Sequence, residues 1–258
     1  MKPSRIIFGS DDNNGYLNFW RDVSEICKKR LGIEPVLFHI TEENSDFYQD
    51  EFGTVKKIKR ISDIPSSFQA QNIRFFGTKF FEDDVCVISD IDLFLIDKNY
   101  FSKIENIPND EFVIMESDAY DPKRYETGIW FGEGRYFANY TIGEGKTFNK
   151  IFEFPDSFEE YVTNNFKLNL GFATDEMVLA KKVDNQTNVK VNKLKRGWMS
   201  NFYCPKRIEK RNFIKSDGTE LEINDSIDVS FFIDCHCASP YEKYQEKIKI
   251  VKNKILSL

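Results

Sequence analysis

The chain has 258 residues, 41% hydrophobic and 30% charged, the balance of an ordinary globular protein with one large domain or two small ones. A formal net charge of −6 leaves no basic excess to serve a nucleic-acid surface. No apolar run is long enough to span a bilayer, and Met1–Arg5 carries no signal-like apolar stretch.

The five cysteines, at 27, 86, 204, 235 and 237, are odd in number and scattered, the pattern of reduced thiols in a cytosolic compartment. The 25 Phe and 11 Tyr supply rings for a core before they supply a ring-lined sugar site.

In chain order, Arg5–Phe8 reads as a short buried strand, and Gly9–Gly15 is dense in turn formers. Tyr16–Leu31 reads as a helix whose stripe is Phe19, Trp20, Val23, Ile26, Cys27 and Leu31, stopped by Gly32. Pro35–Ile40 is a second strand. Strand, polar loop, helix and strand make a βαβ opening, hence a parallel pair with a ligand site in the loop after strand one. That loop lacks both the three-glycine dinucleotide fingerprint and the phosphate-binding lysine loop. His39, inside an apolar strand, reads as a satisfied core histidine.

Residues 41–54 read as loop, and Val55–Ile61 as an edge strand guarded by lysines. Ser66–Phe81 reads as a helix with Ser66 or Ser67 as N-cap. Arg74, mid-helix, is either a surface arginine, a partner for a nearby acidic turn, or a clamp for phosphate or carboxylate.

The next stretch organises the chain. Val85-Cys86-Val87-Ile88-Ser89-Asp90-Ile91-Asp92-Leu93-Phe94-Leu95-Ile96 sets two carboxylates among apolar residues. Charges there are costly unless compensated, and a divalent cation with hard ligands compensates them. In extended chain, residues two apart share a side, so Asp90 and Asp92 can face one ion at the carboxyl end of a strand. Strand-end turn or capping residues are the structural alternative.

Beyond it, Glu111–Glu116 and Thr127–Gly132 read as strands, and Gly143–Phe154 as a short helix after a glycine pair. A helix opens at Pro155-Asp156-Ser157 and runs to Phe166. Thr174 reads as the N-cap of a helix Asp175–Val183, with Asp175 and Glu176 as its dipole-favoured first-turn acids. Residues 193–226 are basic and then turn-rich. Val229–Ile233 reads as a strand ending in Asp234-Cys235-His236-Cys237, followed by a helix with Tyr244, Ile248, Val251 and Ile255 on one face. The Cys-His-Cys cluster lacks the distant second ligand pair of a structural zinc site. His236 reads either as a third ligand for the ion at Asp90 and Asp92 or as a strand terminus.

A βαβ start, a strand-end Asp-Ile-Asp after a helix carrying Arg74, and a late strand-end histidine before a C-terminal helix resemble the GT-A glycosyltransferases. The likeness leans towards the galactosyltransferase-like and glycogenin-like branch and small bacterial or viral relatives. It implies an α/β fold with a mixed, mainly parallel central sheet flanked by helices, as one domain. Residues 1–97 would form its nucleotide-binding part and 98–258 its acceptor part and C-terminal helix.

The resemblance also implies a metal-dependent hexosyl- or pentosyltransferase that takes a UDP- or GDP-sugar and a hydroxyl acceptor on a glycan, glycoprotein or lipid-linked glycan. It would work in the cytoplasm, the host's if the chain is viral. By resemblance, Asp90, Asp92 and His236 hold Mn²⁺ or Mg²⁺. Phe8, Gly9, Ser10, Asp11, Arg74, Asp90, Ile91, Thr127 and Gly128 bind the nucleotide sugar, and Asp175 and Glu176 stand at the reacting carbon. The family's His-x-x-Gly-x-x-Lys-Pro tail is replaced here by His236-Cys237-Ala238-Ser239-Pro240-Tyr241-Glu242-Lys243. A sugar nucleotidyltransferase is the second expectation, weakened by an acidic rather than basic loop after strand one. A non-catalytic nucleotide- or glycan-binding module is the third.

Overall fold

The computed structural model describes residues 1–117, 136–195, 207–214 and 222–258. Its centre is a large sheet in the order β3-β4-β2-β1-β5-β8-β7-β9. The strands are β1 (Arg5–Asp11), β2 (Glu34–Thr41), β3 (Tyr48–Gln49), β4 (Thr54–Lys59), β5 (Val85–Ile88), β7 (Phe112–Ile114), β8 (Thr141–Glu144) and β9 (Val191–Lys193). β4, β2, β1 and β5 run parallel, while β3 and β8 enter antiparallel. A small sheet, β10-β11-β6, is built from β6 (Leu93–Leu95), β10 (Arg207–Ile208) and β11 (Asp234–His236).

The central strands are apolar on both sides, as strands covered on both faces must be. Ile6, Phe8, Val85 and Val87 enter one core and Ile7, Cys86 and Ile88 the other. The first core takes α2 (Trp20–Ile26), α8 (Tyr241–Ser257) and the small sheet. The second takes α3 (Ser66–Phe76), α4 (Gly145–Phe152), α5 (Phe158–Lys167) and α6 (Thr174–Asp184). The abundant phenylalanines build this second core: Phe76 lies within 5.7 Å of the rings of Phe154, Phe158 and Tyr161.

Several elements differ from the sequence expectation. The helix expected over 16–31 starts earlier and is broken. Asn13 accepts from the Gly15 N–H to cap α1 (Asn14–Leu17), α2 follows, and a π-helical turn, Cys27–Leu31, closes at Gly32 with φ +67°. Residues 41–54 contain β3, which pairs outside β4, so β4 is not the bare edge. At α3 the N-cap position is Pro65 with no side-chain cap, because Ser66 is diverted to Asp11, and a 3₁₀ turn replaces the helix after Phe76. Gly143 belongs to β8, which returns antiparallel to β5. Thr174 opens α6 rather than capping it, its hydroxyl donating to the Gly171 carbonyl at 2.7 Å. A 3₁₀ turn replaces the strand at Val229–Phe231. The strand expected at Thr127–Gly132 lies outside the described residues.

The instructive difference is at the acidic stretch. The chain does not continue as one strand: β5 ends at Ile88, a turn closes with the Leu93 N–H donating to the Asp90 carbonyl at 3.2 Å, and β6 joins the other sheet. Two apolar runs flank the acids because they serve two sheets. Asp90 and Asp92 are brought to one place by a turn, not by strand alternation.

Candidate functional site

The turn between β5 and β6 forms the floor of a cleft of about 390 Å³ at the carboxyl ends of β1 and β5. Its walls include Gly9, Ser10 and Asp11 from β1, Ala70 and Arg74 from α3, Asp90, Ile91 and Asp92, and Glu176, Lys210 and His236. Gly9 is required there by close approach: a Cβ would lie 2.0 Å from the Ala70 carbonyl oxygen. Asp11 is oriented by the Ser66 hydroxyl, which donates to its Oδ2 at 2.7 Å.

The small sheet delivers three of the charged groups. β11 pairs antiparallel with β6, setting His236 opposite Leu93, and the Cys237 N–H donates to the Asp92 carbonyl at 2.8 Å. Beside it β10 runs parallel to β11 with Ile208 opposite Cys235, so Lys210 emerges two residues later near His236. Arg207 anchors that pairing, bonding both Asp234 oxygens at 2.5 Å and reaching Glu116 at 3.4 Å. Tyr140 and Tyr100 donate to Asp234 and Glu116, each at 3.1 Å. A buried arginine between two buried carboxylates is compensated by such a web.

Ligating atoms of Asp90, Asp92 and His236 all lie within 4.8 Å of one another. His236 Nε2 is 3.5 Å from Asp92 Oδ1, and Lys210 Nζ is 2.8 Å from Asp92 Oδ2. Burial alone would raise the Asp92 pKa, but His236 and Lys210 outweigh it and hold the carboxyl well below the usual carboxylate range. Asp92 is thus an anion with cationic partners in a buried place, and two carboxylates with an imidazole are a donor set that suits Mn²⁺ or Mg²⁺. The ammonium already on Asp92 marks the spot as one that accepts positive charge.

Asp90 is fixed from the other side. Its backbone N–H donates to Asn139 Oδ1 at 2.5 Å, and Asn139 Nδ2 donates to its Oδ2 at 2.6 Å. Arg74 Nη1 donates to Asp90 Oδ1, and Nη2 donates to Asp175 Oδ2 at 2.9 Å. With an exposure of only 4% Arg74 is not a surface arginine, and its ion-pair partners are Asp90 and Asp175 rather than the acidic turn at 82–84, where Asp84 pairs with Arg5.

The expected site residues divide accordingly. Gly9, Ser10, Asp11, Arg74, Asp90, Ile91, Asp92, Glu176 and His236 meet at the cleft. Phe8 instead packs its ring into the core, 6.1 Å from Trp20, because strand alternation turns it away. Asp175 lies behind Arg74 rather than in the wall. It is a first-turn acid of α6 as expected, but buried and paired; burial raises its pKa and Arg74 opposes that shift. Thr127 and Gly128 lie outside the described residues. His39 is only partly buried rather than a core residue, and its Nε2 is 2.8 Å from Asp12 Oδ1.

Sequence reasoning missed Asn139 and Lys210. Asn139 precedes Tyr140, whose φ of +60° bends the chain beneath Asp90, and no local pattern announces that bend. Lys210 follows the two-residue strand β10 and opens α7 (Lys210–Ile214), in a stretch that reads only as basic and turn-rich.

No family model matches the chain, and no curated protein sequence does. Among solved structures, it is similar to the galactosyltransferase LgtC in complex with donor and acceptor sugar analogs. The TM-score is 0.50 at 12% identity, over 95% of this chain and 95% of that one. It also matches the glycosyltransferase GlyE of Streptococcus pneumoniae TIGR4, with a TM-score of 0.48 and 13% identity, over 100% of this chain and 63% of that one. The chain has a GT-A glycosyltransferase-like fold: a mixed sheet, parallel at its centre, with helices on both faces.

Proposed function

We propose that the protein is a metal-dependent glycosyltransferase that moves a sugar from a nucleoside-diphosphate donor to a hydroxyl acceptor. The observation that carries this reading is the convergence of Asp90, Asp92 and His236 at a cleft by the carboxyl ends of β1 and β5. Those three residues would hold Mn²⁺ or Mg²⁺. Such an ion, when bound, neutralises charge that grows on a departing nucleoside diphosphate.

The protein's own groups have separable tasks. Gly9, Ser10 and Asp11 frame the base and ribose, Asp11 being held by Ser66. Arg74 and Asn139 fix the Asp90 carboxylate so that it need not reorganise on binding. Glu176, the acid of the expected pair that lines the cleft, is the candidate base for the acceptor hydroxyl if the reaction inverts configuration, and an orienting group if it retains it.

The test is a screen of UDP, GDP, ADP and CDP by thermal shift with and without Mn²⁺, followed by donor hydrolysis with the base that stabilises. The expected result is a manganese-dependent rise in unfolding temperature that Asp92→Asn removes together with turnover. Undiminished turnover in Asp92→Asn removes the metal role from this turn, and no response to any of the four removes the donor class.

A further inference from the structure

The cleft holds a cation of its own. Lys210 Nζ stands 2.8 Å from Asp92 Oδ2, with the lysine side chain 39% exposed and the carboxylate only 5%. Its backbone is tied down on both sides. Ile208 is paired to Cys235, and the Phe213 carbonyl accepts from Lys247 Nζ at 2.9 Å. The ammonium, in contrast, ends a flexible four-carbon stem that opens to solvent. Lys243, the lysine the tail sequence offers, does not line the cleft; its Nζ lies 5.1 Å from the Tyr244 ring.

An ammonium and a divalent cation held at one buried carboxylate repel each other and compete for its charge, so each weakens the hold of the other. We propose that Lys210 is an exchange residue. It neutralises Asp92 until a divalent cation arrives, yields the carboxylate to it, and turns its freed ammonium to the phosphate oxygens of the same ligand. This rests on reading the cleft as a nucleoside-diphosphate site. Cation and diphosphate then reinforce each other, because each releases or captures the charge that the other needs.

The consequence has a sign that a merely structural lysine would not produce. Removing the ammonium takes a competitor from the cation and a donor from the phosphate, so the two affinities move in opposite directions.

The test is calorimetric titration of the full chain with MnCl₂ alone, with inorganic pyrophosphate alone, and with pyrophosphate at saturating Mn²⁺. Wild type is compared with Lys210→Met, Lys210→Gln and Lys210→Arg. In wild type, pyrophosphate is expected to tighten Mn²⁺ binding by at least about fivefold. Lys210→Met and Lys210→Gln are expected to bind Mn²⁺ alone several-fold more tightly and pyrophosphate with Mn²⁺ several-fold more weakly. Lys210→Arg keeps the charge and the coupling. Unfolding temperatures identify a variant that fails to fold, and either neutral variant carries the comparison. If both ligands bind wild type and the neutral variants leave either affinity unchanged, or weaken Mn²⁺, the exchange is overturned while the site reading stands. If wild type binds neither, both fall.

Discussion

Arg74 joins Asp90 to Asp175 with one guanidinium, donating through Nη1 to the first and through Nη2 to the second at 2.9 Å. The acid at the cleft and the acid behind it therefore share a single buried counter-ion. Arg74→Met should cost about 3–5 kcal/mol, because it strands a buried carboxylate. Adding Asp175→Leu should recover much of that loss. Urea unfolding of the single and double variants measures it, and an additive double variant would show that the pair is not coupled.

Gly9 tests the contact between β1 and α3. With a Cβ only 2.0 Å from the Ala70 carbonyl oxygen, Gly9→Ala must push the helix off the strand. The expected loss is about 1–3 kcal/mol, the usual cost of overpacking. Ala70 and Gly9 both line the cleft, so nucleoside-diphosphate affinity should fall with it in a binding titration.

The docking of α8 on α2 carries a pH dependence. Lys252 Nζ meets Asp22 at 2.8 Å and Glu25 at 2.6 Å. Lys252 first, and Lys29 after it, lower the Glu25 pKa. The Glu25 contribution is therefore complete above the ordinary glutamate value of about 4.3 and is lost as pH falls through the lowered one. For Lys252, burial works against the charge, but Asp22 and Glu25 outweigh it and raise the pKa. Its contribution is complete below the ordinary lysine value of about 10.4 and is lost as pH rises through the raised one. The stability gap between wild type and Glu25→Gln should be constant near neutrality and close in acid, as read by unfolding at a series of pH values.

Three of the thiols should be inert. Burial pushes the Cys86 thiol up to about 12, and Cys27 and Cys237 are also raised by burial. The thiolate is the reactive form, so these three should resist alkylation by iodoacetamide at pH 8 in the native protein and label on unfolding. Peptide mass spectrometry reads each one. Rapid native labelling of Cys86 would contradict the burial of β5.

The fold was legible where pattern and burial agree. Strand periods and the βαβ opening marked β1, α2, β2 and β5, and the apolar face of α8 was visible in Ile248, Val251 and Ile255. The ligand candidates were legible because Asp90 and Asp92 are charges flanked by apolar residues. What could not be read was the change of sheet between them, since an apolar run looks alike whichever sheet receives it. Asp175 was hidden for a related reason: a first-turn acid has the same local sequence whether it faces water or a buried arginine. Lys210 reaches the cleft, and Asn139 reaches Asp90, through long-range contacts that leave no local trace.

The passage of the chain from one sheet to the other at Ser89–Leu93 has a consequence for how the molecule fails. Asp90 is clamped from the large sheet's side by Asn139 and Arg74, whereas His236 lies in, and Asp92 and Lys210 flank, strands of two or three residues. So short a ladder opens at lower free energy than the parallel strands beside it. Amide exchange should be faster along β10 and β11 than along β1 and β5, so binding competence can vanish in mild denaturant while the scaffold is still intact.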